Sequence, residues 1–216
     1  MSIALAFILG YLLGSLPLAV WVGKITKRID IREHGSGNAG ATNALRVLGL
    51  RAGFLVLALD MAKGLAAVLV ISRIAPLISV NDPNLVRVLT GGCAILGHIF
   101  PITTGFRGGK GVGTGAGVMF ALAPVVTLCV LSIWAGIVAV TRYVSLASMI
   151  AAVSVPTLLV CRKLALGTEP GGALMSFSVL LAAAVLLSHH TNIRRLLTGR
   201  ENKFTLGTVR PKKKTS

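Results

Sequence analysis

Arg107 and Lys110 stand among six glycines in GHIFPITTGFRGGKGVGT, residues 97–114, and that combination is suited to holding phosphate. Glycine lets a backbone turn its N–H groups towards an anion. Arg107 offers a planar fork, Lys110 a point charge, and an apolar helical run begins at Val112. Gly108, Gly109 and Gly111 are the backbone part of this phosphate-binding set. The stretch is not a nucleotide P-loop. Gly105 precedes Gly109 and Lys110 by one residue too few, and Gly111 stands where that motif needs Ser or Thr.

A second glycine-rich stretch, IREHGSGNAGATNALRVLGL at 31–50, supplies neutral hydrogen-bonding groups from Ser36, Asn38, Thr42 and Asn43 and a cation from Arg46. Connectors seldom carry this density of Gly, Asn and Ser in so apolar a chain. In HHTNIRRLLTGRENK, residues 189–203, His189 and Asn192 are i, i+3 and share one face of a helix, so both can reach one substrate group. Arg194, Arg195 and Arg200 suit a lipid headgroup layer. Arg142 and Ser145, in TRYVSLAS, are either site residues or a snorkelling arginine and a helix-capping serine. His98 reads as a hydrogen-bonding group at a helix end.

The elements that must position these residues are membrane spans. The chain has 216 residues, 54% hydrophobic and 13% charged, with a mean hydropathy of +0.83, far more apolar than one soluble core can hide. The fold class is an all-α integral membrane protein. Its net charge of +16 gathers in the gaps between apolar runs, which points to anionic lipid and phosphorylated substrates as partners and away from nucleic acid. Cys93, Cys129 and Cys161 are scattered and odd in number, so buried free thiols are expected, and no metal or cofactor site is indicated.

Spans are expected at about 3–22, 53–74, 85–102, 144–160 and 174–187. In the first, Gly10, Gly14 and Ser15 favour close helix packing and Pro17 a kink; the basic residues follow this span, unlike those of a signal peptide. In the second, Asp60 and Lys63 are i, i+3; they pair and face the bundle interior, or Lys63 contacts substrate. Residues 112–140 reach about 43 Å as one helix, long for one crossing and short for two. Parity decides. A break near Pro124 into two short passes returns the tail, with Arg210 and Lys212 to Lys214, to the side of both glycine-rich loops. The expected bundle has about seven transmembrane helices, some short, with the N-terminus outside and the C-terminus cytoplasmic. A single transmembrane domain over 1–203 is followed by a flexible basic tail over 204–216.

The segments at 35–49, 97–114 and 189–201, with Asp60 to Gly64 and Arg142 to Ser145, resemble the motifs of the bacterial acyl-phosphate:glycerol-3-phosphate acyltransferases, the PlsY family. The resemblance covers essentially the whole chain in matching order. Two departures are visible: Arg107 stands where many members carry lysine, and the basic extension after Lys203 is long. The resemblance implies transfer of a fatty acyl group from acyl phosphate to the 1-hydroxyl of glycerol 3-phosphate, giving lysophosphatidic acid and phosphate in phospholipid synthesis. It implies an active site facing the cytoplasm in the bacterial inner membrane, with the soluble enzyme that makes acyl phosphate as a further partner. On this basis Ser36, Lys110, His189 and Asn192 are the catalytic candidates, supported by Asn38, Thr42, Asn43, Lys63, Arg142 and Ser145. No H-x4-D pattern and no Ser–His–Asp arrangement occurs, so direct attack without an acyl-enzyme is preferred. A transporter or flippase of a lipid or phosphorylated anion is the alternative, although its mark, interrupted helices in two repeated halves, is not visible.

Overall fold

The computed structural model describes residues 3–74 and 84–204, and every regular element among them is helical. The outer-loop residues Pro76, Asn81, Asp82 and Pro83 and the basic tail beyond Phe204 lie outside the described residues.

Helices α1 (Ile3–Gly14) and α2 (Leu18–Lys27) form the first apolar stretch, interrupted at Pro17, which has no N–H to continue the ladder. The short amphipathic α3 (Ala41–Leu48) is separated by Gly49, at φ 100°, from the long α4 (Leu50–Leu69). Next come α5 (Asn84–Ile99), α6 (Val112–Leu122) and α7 (Pro124–Thr141). The chain finishes with α8 (Val144–Leu166), α9 (Gly172–Ser188) and α10 (His190–Leu197). The expected break near Pro124 falls at Ala123, where proline takes the first position of α7.

Five stretches are long and apolar enough to cross a membrane: Ile3–Lys27, Leu50–Ile74, Asn84–Thr104, Pro124–Thr141 and Val144–Leu166. The pair α9 and α10, bent by 60°, makes a sixth, and α6 is a shorter apolar helix. At 11 residues it extends only about 16 Å. The two parts of 112–140 are therefore unequal, one short and one of ordinary length. Helix α8 runs to Leu166, beyond the expected end near Val160, which leaves a loop of only a few residues before α9.

Two helix pairs are held by backbone approach at glycine, the device available where lipid competes with every apolar side chain. Between α1 and α5, a Cβ on Gly14 would meet Ala94 O at 2.0 Å and one on Gly97 would meet Tyr11 O at 2.1 Å. Between α4 and α6, Gly117 would meet Met61 O at 2.0 Å and Gly64 would meet Thr114 O at 2.2 Å. Around them, Val118, Val126, Leu159 and Val185 form the core shared by α6, α7, α8 and α9. The three cysteines are free, but Cys129 and Cys161 face outward and only Cys93 is half-buried, because α7 and α8 turn those positions away from their neighbours.

Candidate active site

At the end of the bundle where the glycine-rich loops meet, Asn43 is a brace rather than a lining residue. It is 1% exposed; its Oδ1 accepts from Ser36 N–H at 2.9 Å, and its Nδ2 donates to Ile31 O and His34 O at 3.0 Å each. The turn it closes presents Ser36, Asn38, Thr42 and Arg46 to a cavity of about 360 Å³. Arg32 ties this loop to the next by donating to Thr104 O at 3.3 Å, and its hydrogen bonds hold the Asp30 carboxyl down to about 2.

The loop between α5 and α6 divides its expected roles. Gly109 N–H donates to His98 O at 3.0 Å, and a Cβ there would stand 2.0 Å from His98 Nε2; on Gly108 it would stand 2.1 Å from His98 O. Both glycines therefore seat the loop on the end of α5 and do not line the large cavity. Arg107 is exposed and also lies off the cavity, because the left-handed turn at Gly105 and Phe106 directs the loop outward just before it. Lys110 and Gly111 do reach the cavity.

Lys110 Nζ donates to Asn192 Oδ1. The other end of that amide donates to Glu201 Oε1 at 2.8 Å, which also accepts from Ser145 Oγ at 3.0 Å. Arg195 Nε donates to Glu201 Oε2 at 2.8 Å. The Glu201 side chain is 2% exposed, and although burial opposes ionisation, the bonds from Arg195, Asn192 and Ser145 hold its carboxyl below the usual range. Because Asn192 must donate to the carboxylate, its oxygen is left to face Lys110. Burial first, then the Arg195 cation, push the Lys110 ammonium down to about 8, with Glu201 opposing and Arg46 adding to the fall. Arg46 itself donates to Asn202 O at 3.2 Å.

Neither Glu201 nor Arg195 had a site role in the sequence reading, which put Arg195 in the headgroup layer. The available signals were an acid alone among Arg194, Arg195, Arg200 and Lys203, and the i, i+3 spacing of Asn192 and Arg195. His189 does not share a continuous helix with Asn192. It sits at the 60° bend, 3% exposed, with Nδ1 donating to Val185 O at 2.7 Å, yet it lines the same cavity as Asn192. Ser145 makes no cap and is held by Glu201. Arg142 is exposed; its backbone oxygen accepts from Phe204 N–H at 2.6 Å, so the residue fastens the last described segment without lining the cavity.

Deeper in the bundle, Lys63 Nζ lies 2.9 Å from Asp60 Oδ1, 2.8 Å from His98 Nδ1 and 3.4 Å from Leu16 O. The Asp60–Lys63 pair faces the interior as expected, with side chains 5% and 3% exposed. An ammonium only donates, so His98 Nδ1 is the acceptor, and its 3.4 Å approach to Asp60 is not a second hydrogen bond. Asp60 and His98 edge the large cavity; Lys63 does not, since the pair and the Leu16 carbonyl occupy its donors.

Away from its polar head the cavity is mostly apolar, walled by Leu57 and Met61 on α4, Met119 on α6, Val130 and Trp134 on α7, Val155 on α8 and Leu181 on α9, with Asp60, His98, Thr127 and Ser148 as its polar members. A cationic head with an apolar body suits an amphiphile carrying phosphate. A family model described as glycerol-3-phosphate acyltransferase matches residues 4–199. The chain belongs to the glycerol-3-phosphate acyltransferase family.

This membrane acyltransferase is 41% identical to a protein of that name from Chlorobium luteolum, with 96% of this chain and 98% of the relative covered. It is 40% identical to one from Salinibacter ruber, with 94% and 93% covered. Among solved structures it resembles PlsY (YgiH), an integral membrane glycerol 3-phosphate acyltransferase, in its glycerol 3-phosphate form. The TM-score is 0.83 and the identity 37%, with 94% of this chain and 96% of that one covered. The lysophosphatidic acid form of the same protein matches with a TM-score of 0.81. Membership in an acyltransferase family displaces the transporter reading.

Proposed function

We propose that this acyltransferase moves a fatty acyl group from acyl phosphate to the 1-hydroxyl of glycerol 3-phosphate, releasing lysophosphatidic acid and phosphate. The observation that carries the reading is the cavity itself: about 360 Å³, with three cations at the loop end and a mostly apolar body walled by α4, α6, α7, α8 and α9. Glycerol 3-phosphate and the donor's phosphate share the cationic head, held by Arg46, Lys110, Gly111 and Arg195, with Ser36, Asn38 and Thr42 as neutral donors. Asn192 and His189 orient the glycerol or the reacting carbonyl. The Nδ1 bond to Val185 O leaves His189 Nε2 free to accept from a hydroxyl in the neutral ring.

The donor is a mixed anhydride with a good leaving group, so alignment and charge stabilisation supply most of what is needed. The glycerol oxygen bonds to the acyl carbon, the bond from that carbon to the phosphate oxygen breaks, and the hydroxyl proton passes to a phosphate oxygen. No acyl-enzyme forms. Ser145 Oγ donates to Glu201, a carboxylate whose bonds from Arg195 and Asn192 hold it ionised and make it a weak base. The bond from Ser36 to Asn43 is made by its backbone N–H and leaves the hydroxyl unactivated. Incubated with radiolabelled acyl phosphate alone, the enzyme is expected to carry no stable label and to release phosphate only when glycerol 3-phosphate is added. Ser36→Ala is expected to be slow but active. A stoichiometric acyl-enzyme on Ser36 or Ser145, discharged at the rate of turnover, overturns this mechanism.

We propose further that the chain crosses the bacterial cytoplasmic membrane seven times, α6 being one short pass, with the N-terminus outside and the site facing the cytoplasm. Lys24, Lys27, Arg28, Arg46, Arg194, Arg195 and Arg200 all gather at the loop end of the bundle, which supports that orientation. The single catalytic domain then ends near Lys203, and the basic tail lies beside anionic lipid. The soluble source of acyl phosphate would approach from this side. A reporter fused after Lys203 should behave as cytoplasmic and one fused ahead of Ile3 as external; both ends on one side would remove the seven-span arrangement.

A further inference from the structure

The apolar body of the cavity is not uniform along its length. Near the loop end its wall is open, with Phe54 in the second turn of α4 60% exposed. At the far end Met119, Thr127, Val155 and Leu181 are 2%, 3%, 5% and 7% exposed, and all line the cavity. These four come from α6, α7, α8 and α9, which share one packed core there, so the far end of the cavity is backed by four helices.

The closure is also stiff. Met119 and Thr127 each lie four residues from Ala123, the single residue joining α6 to α7. Met119 O accepts from Ala123 N–H at 2.7 Å, while Ala123 O accepts from Thr127 N–H at 3.0 Å and Thr127 Oγ at 2.9 Å. Ala123 is 2% exposed, and a one-residue connection leaves the two helices no slack with which to separate.

From this closed end we infer that Met119, Thr127, Val155 and Leu181 form a floor that measures the donor's acyl tail. The inference rests on the proposed transfer from acyl phosphate. Ser145, in the polar head, and Val155, at the floor, are ten residues apart on α8 and hence about 15 Å apart along it. C–C bonds of about 1.5 Å at tetrahedral angles advance an all-trans acyl chain by about 2.5 Å per two bonds, so a straight tail of about thirteen carbons spans that distance. Longer tails must buckle inside or bow out through the open wall beside Phe54, and both leave the reacting carbonyl less well aligned. Met119 limits the depth most directly, since an unbranched side chain there occupies the end of the passage.

The test is a series of saturated acyl phosphates from ten to eighteen carbons, assayed as donors to glycerol 3-phosphate with purified enzyme in detergent. The unaltered enzyme should lose at least about fivefold in kcat/KM between fourteen and eighteen carbons. Met119→Ala, which removes three heavy atoms, should move that fall about two carbons longer. Val155→Leu, which adds one heavy atom, should move it about one carbon shorter. Thermal unfolding in the same detergent checks that each variant is folded, and the two opposite shifts guard against loss of one protein. A length profile unchanged in both folded, active variants overturns the floor and leaves the proposed reaction standing. No transfer from an acyl phosphate of any length removes the reaction, and the floor with it.

Discussion

Lys110→Ala is expected to lower kcat/KM for acylation of glycerol 3-phosphate by about 150-fold or more, about 3 kcal/mol of transition-state stabilisation. Lys110 reaches the cavity from the loop between α5 and α6 and is placed by the Asn192 oxygen, which the Glu201 carboxylate orients. A charge-assisted bond in a partly dry site has no replacement when the cation is removed. Arg46→Ala should cost a similar amount, whereas Arg107→Ala should cost at least tenfold less, because that side chain lies off the cavity. A pH profile separates charge from packing. With the ammonium pushed down to about 8, the cation is present below that pH and lost above it, so kcat/KM in the free enzyme should fall as pH rises through about 8. Lys110→Arg should restore much of the activity and abolish that limb, since a guanidinium stays charged. Glu201→Gln removes the opposing charge and should move the limb to lower pH. Near-normal kinetics in Lys110→Ala, or a limb that survives in Lys110→Arg, would show that Lys110 does not hold substrate phosphate.

Asp60→Ala is expected to destabilise the folded protein by about 3–5 kcal/mol, because it strands the Lys63 ammonium among buried groups within an apolar helix. Among the described residues, the His98 nitrogen and the Leu16 carbonyl would remain as acceptors beside that charge, and neither supplies a compensating negative charge. The double variant Asp60→Leu with Lys63→Met removes the charge together with its partner and should recover most of the lost stability. Activity should recover less than stability. His98 seats Gly109, the residue just before Lys110, and the lost Lys63 bond frees the His98 ring. Unfolding measured in one detergent for the parent, the single and the double variants decides the matter. Equal stability of the single and double variants would refute the stranded charge.

What could be known from the sequence followed from local physics. Apolar runs of about 20 residues are costly anywhere but in lipid, so the helical membrane class was legible without a structure. Pro124 lacks an N–H and divides 112–140, and Asp60 and Lys63 share a helix face at i, i+3 whatever surrounds them. The clustering of Ser36, Arg46, Lys110, His189 and Asn192 in one cavity also agrees with the motif pattern. Other features depended on partners far along the chain. Lys110 and Asn192 are 82 residues apart, and Ser145 and Glu201 are 56 apart. Arg195 with Glu201, and Asn43 with its partners at 31–36, are nearer in sequence, but the turns between them have no periodicity from which the contact could be read. The same holds for Gly108 and Gly109, whose missing side chains serve the close approach of His98. Hydropathy and spacing therefore determined the elements and the kinds of groups at their ends. The packing of separate helices decided which groups face the cavity, since a side chain's partner across a bundle is set by three-dimensional proximity and not by distance along the chain.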